Sequence, residues 1–166
     1  MTANDATGQA RDLPADEAAI RALAAAYTDA VNRRAAADMA AVYAPDGVLQ
    51  VGGGPQIAGI EKIGRAFARL VEQQREFLFQ MTHSGVIDIQ GDRAGARWWF
   101  SEIKKPTGGD YLYVLGVYQD DVVRLPQGWR FARRVADQLF ECRLPGDGIV
   151  QQGLPPFLGL RTLPGP

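Results

Sequence analysis

The stretch Phe77-Leu78-Phe79-Gln80-Met81-Thr82-His83-Ser84-Gly85-Val86-Ile87-Asp88-Ile89 runs through Gln90-Gly91-Asp92-Arg93 into Ala94-Gly95-Ala96-Arg97-Trp98-Trp99-Phe100-Ser101-Glu102. Two alternating runs joined by a Gly-Asp turn read as a long antiparallel hairpin. Phe77, Phe79, Met81, His83, Gly85, Ile87 and Ile89 share one parity, and strand residues two apart share a face. The alternation predicts that His83 points inward with this apolar set, away from Gln80, Ser84 and Asp88. His83 is the chain's single histidine. Imidazole titrates nearest neutrality, so one facing an apolar hollow is a candidate proton shuttle. The plainer alternative is a core histidine that hydrogen-bonds a neighbour.

Outward from this hairpin the strands continue. Pro106-Thr107-Gly108-Gly109 turns the chain into a run over 110–121, and Pro126-Gln127-Gly128 opens another over 129–141. Upstream, Ile20, Leu23, Ala24, Tyr27 and Val31 fall at helical spacing in an alanine-rich segment that ends near Arg33. A second, short helix is predicted over 37–43, stopped by Pro45-Asp46-Gly47 before a strand over 48–51. Gly52-Gly53-Gly54-Pro55 is followed by no Lys-Ser/Thr and reads as a loop, not a phosphate cradle. A third helix over 60–73 carries Ile63, Phe67, Leu70 and Val71 as its stripe. Three helices on one face of a long, curled, mostly antiparallel sheet make an α+β domain.

The expected organisation is a flexible amino-terminal tail over 1–14, the α+β domain over 15–141, and a Pro/Gly-rich strap or lid over 142–166. Ile149, Val150, Leu154, Phe157, Leu158 and Leu160 give that last segment apolar side chains to dock. At 166 residues and 46% hydrophobic content, one domain with a real core is expected. Eighteen basic and nineteen acidic residues are interspersed to a net charge of -1, which predicts neither a nucleic-acid nor a membrane partner. Arg130, Arg133 and Arg134 read as solvated or ion-paired side chains on a sheet face. One cysteine, Cys142, and one histidine leave no disulfide or Cys/His metal cluster to expect. No metal and no cofactor are expected, in a cytoplasmic protein.

The order of these elements, Ala44-Pro45-Asp46-Gly47, Ile57-Ala58-Gly59, His83 with Gly85, Gly91-Asp92-Arg93-Ala94 and Gly128-Trp129-Arg130-Phe131 together resemble the SnoaL-like family of the nuclear-transport-factor-2-like superfamily. The resemblance covers about Asp16 to Phe140. It implies a cone-shaped half barrel closed by the helices around an apolar pocket. Scytalone dehydratase-, dehydrochlorinase- and polyketide cyclase-like members use acid/base chemistry, several of them with an aspartate near the end of the first helix and a strand histidine. His83 matches that histidine. Asn32 stands where the aspartate would be, and an amide orients an imidazole without stabilising imidazolium as a carboxylate does.

The residues themselves add further candidates. Asp29 lies roughly opposite the apolar stripe of the first helix at about 100° per residue, so it is expected in solvent. Asn32 sits to one side of the stripe, as an orienting partner or a plain terminal residue. Glu102 shares parity with Ala94, Ala96, Trp98 and Phe100, and is either a second acid/base near the pocket mouth or a solvated strand-end carboxylate. Tyr27, Phe79, Trp98 and Phe100 are candidate pocket walls or plain core. Either Tyr111 and Tyr113 or Leu112 and Val114 face inward.

Two functions compete. One is a cofactor-independent lyase or isomerase acting on a small hydrophobic cyclic molecule, with His83 as acid/base and Asn32 beside it. The other is a non-catalytic ligand-binding or oligomerisation domain of the same fold. The first expects a roomy apolar cavity reaching His83; the second expects a filled interior and a large apolar outer face. Trp99 and Ile103 on the other sheet face point to burial against a second copy, a homodimer.

Overall fold

A computed structural model describes residues 12–73 and 75–145. Of the expected tail over 1–14 and the strap or lid over 142–166, residues 1–11 and 146–166 lie outside the described residues, while Leu13 and Pro14 belong to α1 and Cys142 and Arg143 to β6. Three helices, α1 (Leu13–Asn32), α2 (Ala36–Ala41) and α3 (Ile60–Gln73), accompany six strands. These are β1 (Tyr43–Val51), β2 (Ile57–Ala58), β3 (Arg75–Gln90), β4 (Arg93–Pro106), β5 (Leu112–Leu125) and β6 (Gly128–Arg143). They form one curled, unclosed sheet in the order β2-β1-β6-β5-β4-β3, with β1 and β6 parallel and every other pair antiparallel. The expected α+β cone is present. No helix among the described residues is long and apolar enough to cross a membrane.

Local chemistry sets the first helix. The Asp12 carboxylate accepts from Ala15 N at 3.1 Å, capping α1 ahead of Pro14, whose missing N–H costs nothing in a first turn. Its buried stripe is Ile20, Leu23, Ala24, Tyr27, Ala30 and Val31. Asp16, one turn in, is buried as well. It accepts from Trp129 Nε1 at 3.2 Å and pairs with Arg124, which anchors the start of the helix to the β5–β6 hairpin. Arg34 ends the run at a φ of 57°, and Ala35 N reaches back to Ala30 O at 2.9 Å. As expected, Asp29 is exposed, where it pairs with Arg33.

The core joins the helix stripes to one face of the sheet. Ile20, Val31, Met39, Ile63 and Phe67 pack against Ala94, Ala96, Trp98, Phe100, Val114, Tyr118, Val122 and Phe131. Val114 is fully buried, so the Leu112/Val114 set faces inward and Tyr113 faces out. Arg134 is 1% exposed and bonds Asp120 twice, at 2.8 and 2.7 Å, so it belongs to the core and not to a solvated sheet face.

One prediction about the opening hairpin fails. β3 and β4 pair Thr82 with Phe100 and Gly85 with Trp98, so three steps on β3 match two on β4, a bulge of one residue. The face of β3 therefore switches partway. Leu78 and Gln80 face in before the bulge, whereas Phe79 and Met81 are 42% and 44% exposed on the outside. After it, Gly85, Ile87 and Ile89 turn toward the core, and a Cβ on Gly85 would lie 2.3 Å from the Trp98 ring. A lone glycine within a strand pattern is a bulge signal, and here it outranks parity.

Candidate active site within the cone

Helix α1 runs along β3, the exposed edge of the sheet, and is tied to it by polar contacts. The Thr28 and Thr82 hydroxyls hydrogen-bond at 2.6 Å, and Arg34 Nη2 donates to Glu76 O at 2.8 Å. Asn32 does most. Its Nδ2 donates to Gln80 O at 2.8 Å while its Oδ1 accepts from Gln80 N at 2.7 Å, so one carboxamide replaces a missing neighbouring strand. Both polar atoms of Asn32 are thus committed to the Gln80 main chain, which turns the Gln80 side chain to the inner face.

That face lines a partly open cavity of about 110 Å³. Val31, Met39, Leu49, Phe67, Leu70, Leu78 and Phe100 supply apolar walls, and Tyr27, Gln80, Glu102, Tyr118 and Gln138 a polar side. Gln80 Nε2 donates to Tyr118 Oη at 2.6 Å and to Glu102 Oε2 at 3.3 Å. Phe100 stacks on Tyr118 with centroids 4.4 Å apart, and the Tyr27 ring meets Tyr118 edge-on at 5.9 Å. Behind these rings sits Arg134, its guanidinium 4.4 Å from Tyr27 and 4.2 Å from Tyr118. Burial raises the Tyr118 and Tyr27 phenols above their usual range, and it outweighs the opposing pull of the Arg134 charge. Both are therefore neutral hydrogen-bond donors in the folded protein at ordinary pH.

The predicted site residues separate. Tyr27, Phe100 and Glu102 come together on this cavity. Trp98 is buried beside it, bordering an open groove of about 480 Å³ between α1 and β3, with the Arg21 guanidinium 5.7 Å from its ring. Phe79 lies on the outer face and lines no pocket wall inside the cone. His83 also turns outward. It is exposed, and its Nε2 hydrogen-bonds Ser101 Oγ at 2.9 Å. Ser101 stands opposite Met81 and Leu115, on the face away from Phe100 and Glu102. His83 and Asn32 both border the open groove, yet the amide serves the Gln80 backbone and the ring nitrogen serves Ser101, so they do not form a pair.

Sequence reading missed Gln80, Tyr118 and the Asp120–Arg134 pair. Gln80 was assigned to solvent by the parity that the bulge reverses. Tyr118 was legible in principle, since it shares parity with Val114, Gly116 and Asp120 on a strand whose inward set was left open.

An α+β cone of this curled, unclosed sheet with its helices is the nuclear-transport-factor-2-like fold. Residues 14–135 match the SnoaL-like domain family, and the chain belongs to it. Among solved structures it is similar to hexachlorocyclohexane dehydrochlorinase LinA-type3 from Novosphingobium barchaimii LL02, with a TM-score of 0.77 and 17% identity over 85% of this chain and 98% of that one. It is similar also to a scytalone dehydratase-like protein from Novosphingobium aromaticivorans DSM 12444, with a TM-score of 0.73 and 16% identity over 81% and 91% of the two chains. A third is an NTF2-like protein with a cystatin-like fold from Novosphingobium aromaticivorans, with a TM-score of 0.66 and 22% identity over 76% and 84%. At such identities the likeness establishes the fold. No protein of curated function matches the sequence.

Two outcomes follow from the site. Asn32→Asp keeps an acceptor for Gln80 N–H but sets a carboxylate oxygen against Gln80 O, so stability in urea unfolding should drop by about 1–3 kcal/mol at neutral pH. Part of that loss should return in acid, where a protonated carboxyl donates again; a variant as stable as the parent would show that the amide is not the tie. The second concerns alkali. Burial raises Tyr27, Tyr43 and Tyr118 in the folded state, so stability is fully present below the unfolded phenol value of about 10 and falls as pH climbs past it. Three of the five tyrosines should then ionise only as the circular dichroism signal collapses. Full tyrosinate absorbance with intact dichroism would contradict this.

Proposed function

We propose that this protein binds a small, mostly apolar molecule inside the cone and carries out lyase- or isomerase-type proton transfer on it without a cofactor, with Glu102 as the acid/base. The observation that carries this reading is the place of Glu102: a carboxylate on the polar side of a cavity whose other walls are largely apolar, hydrogen-bonded to the buried Gln80 amide. Apolar surroundings with one placed carboxylate are suited to proton abstraction next to a leaving group or a carbonyl. Neutral phenols at Tyr27 and Tyr118 would donate to a substrate oxygen where charge develops. Membership of the SnoaL-like family supports the reaction type, as do similar structures described as a dehydrochlorinase and a scytalone dehydratase-like protein.

The cavity is small, about 110 Å³, and does not reach His83, contrary to what the enzyme reading expected; the imidazole is bonded to Ser101 on the other face, so this reading gives the acid/base role to Glu102. General acid/base work typically contributes 10²–10⁴-fold. Against a panel of single-ring halides, alcohols and ketones, Glu102→Gln should lower kcat about 10²-fold or more, while His83→Ala should stay within about twofold. The reverse pattern would return the role to His83. Ligand uptake with no turnover across the panel would make the chain a binding domain.

That second reading has its own support in the outer sheet face. Met81, Leu115 and Phe140 lie in one row across β3, β5 and β6, with Phe79, Trp99 and Leu139 nearby, all of them exposed. Apolar patches of this kind are seldom left to water. We assign the face to a homodimer in which two copies pack sheet against sheet. Sedimentation should give a dimer at micromolar concentration, and Leu115→Asp should shift it to monomer without unfolding; a parent protein that is monomeric throughout would remove the assignment.

A further inference from the structure

The polar end of the cavity is unbalanced, and the imbalance has a chemical complement. Gln80 is 3% exposed. Both hydrogens of its amide nitrogen are spent, on Tyr118 Oη at 2.6 Å and Glu102 Oε2 at 3.3 Å, while its Oε1 is buried with no hydrogen-bond partner among the described residues. Buried carbonyl oxygens without a donor are uncommon and unfavourable. Tyr118, accepting from Gln80, also hydrogen-bonds Tyr27, so one of the two phenolic protons lies between their oxygens and one is left to place. The wall therefore offers a phenolic donor and lacks a donor for one acceptor.

We propose that the missing donor comes from the ligand, and that the cavity takes a neutral, single-ring phenol or alcohol whose oxygen accepts from a tyrosine and whose hydrogen goes to Gln80 Oε1. This deepens the reading of the cone as a small-molecule site and rests on it. Size sets a single ring as the upper limit: the cavity is about 110 Å³, smaller than the roughly 150 Å³ apolar cavity that takes up benzene. Shape fits a flat ring, since the stacked Phe100 and Tyr118 make one side a planar wall.

Charge excludes the other polar groups. An ammonium would donate to Gln80 but cannot accept from Tyr118, and it would approach the Arg134 guanidinium, 4.2 Å behind the Tyr118 ring. A carboxylate would accept from Tyr118 but would face the Glu102 carboxylate and leave Gln80 Oε1 without a donor. A ketone or ether likewise accepts only. Among these groups only a hydroxyl both accepts and donates, and burial keeps both phenols protonated to meet it.

Calorimetric titration of the whole chain with phenol, anisole, toluene and benzylamine tests the assignment without any change to the protein. Phenol should bind about tenfold or more tighter than toluene, anisole should fall near toluene because it cannot donate, and benzylamine should be weakest. Tyr118→Phe should keep toluene binding and shrink the advantage of phenol to about threefold or less. Equal affinities for phenol, anisole and toluene would overturn the hydroxyl assignment while leaving the cone a ligand site. Binding of none of them at millimolar concentration would overturn the reading of the cone itself.

Discussion

A guanidinium buried inside the sheet and held by one carboxylate and three aromatic rings organises this molecule. Arg134 of β6 makes a bidentate pair with Asp120 of β5, both essentially inaccessible, and its plane lies 3.9–4.4 Å from Phe131, Tyr118 and Tyr27. The pair joins two central strands, and the rings carry the contact to helix α1. A buried ion pair is weak evidence for stability as such, because desolvation offsets much of the attraction; losing one partner, however, leaves an uncompensated charge and costs about 3–5 kcal/mol. Its value here is geometric. Arg134 cannot shift without uncovering a charge, so the rings that form the polar wall of the cavity are held in place from behind.

A second constraint acts from the edge of the sheet. Unpaired main-chain groups on β3 would be costly beneath a helix, and Asn32 answers both groups of Gln80 with one amide. A carboxylate at that position has no hydrogen to give. The asparagine that looks like a lost catalytic acid is therefore a brace, and it sets the Gln80 side chain between Tyr118 and Glu102. Gln80, Glu102 and Tyr118 accordingly meet on the wall formed by β3, β4 and β5, away from the α1–β3 seam.

The two sheet faces divide the work. On the inside, small residues make room for large ones: a Cβ on Gly116 would come within 2.4 Å of the Phe100 ring, so the ring lies flat against the strand and leaves space beside it. On the outside, Trp99 and Phe140 are about half exposed, at 48% and 50%. His83 belongs to this second surface. The bulge at Thr82–Gly85 is what separates it from the cavity, since a strand without the extra residue would keep His83 and Gly85 on one face.

Periodicity by itself determined the three helices, the long strands, their hairpin turns and the α+β layering, because these depend on spacings within one segment. Phe100 and Glu102 were legible as an inward pair because β4 keeps unbroken alternation from Ala94 to Glu102, and Tyr27 because helical spacing puts it on the apolar stripe of α1. The failures cluster where two segments must meet. One inserted residue in β3 moved Phe79 and His83 outside and Gln80 inside, and parity has no means of counting residues on a partner strand. Likewise Arg134 reads as a surface charge until Asp120 and three rings are brought around it by pairing and helix packing. Only the tertiary arrangement decides which polar groups share a dry enclosure, because burial, unlike alternation, is a property of what lies across the interior.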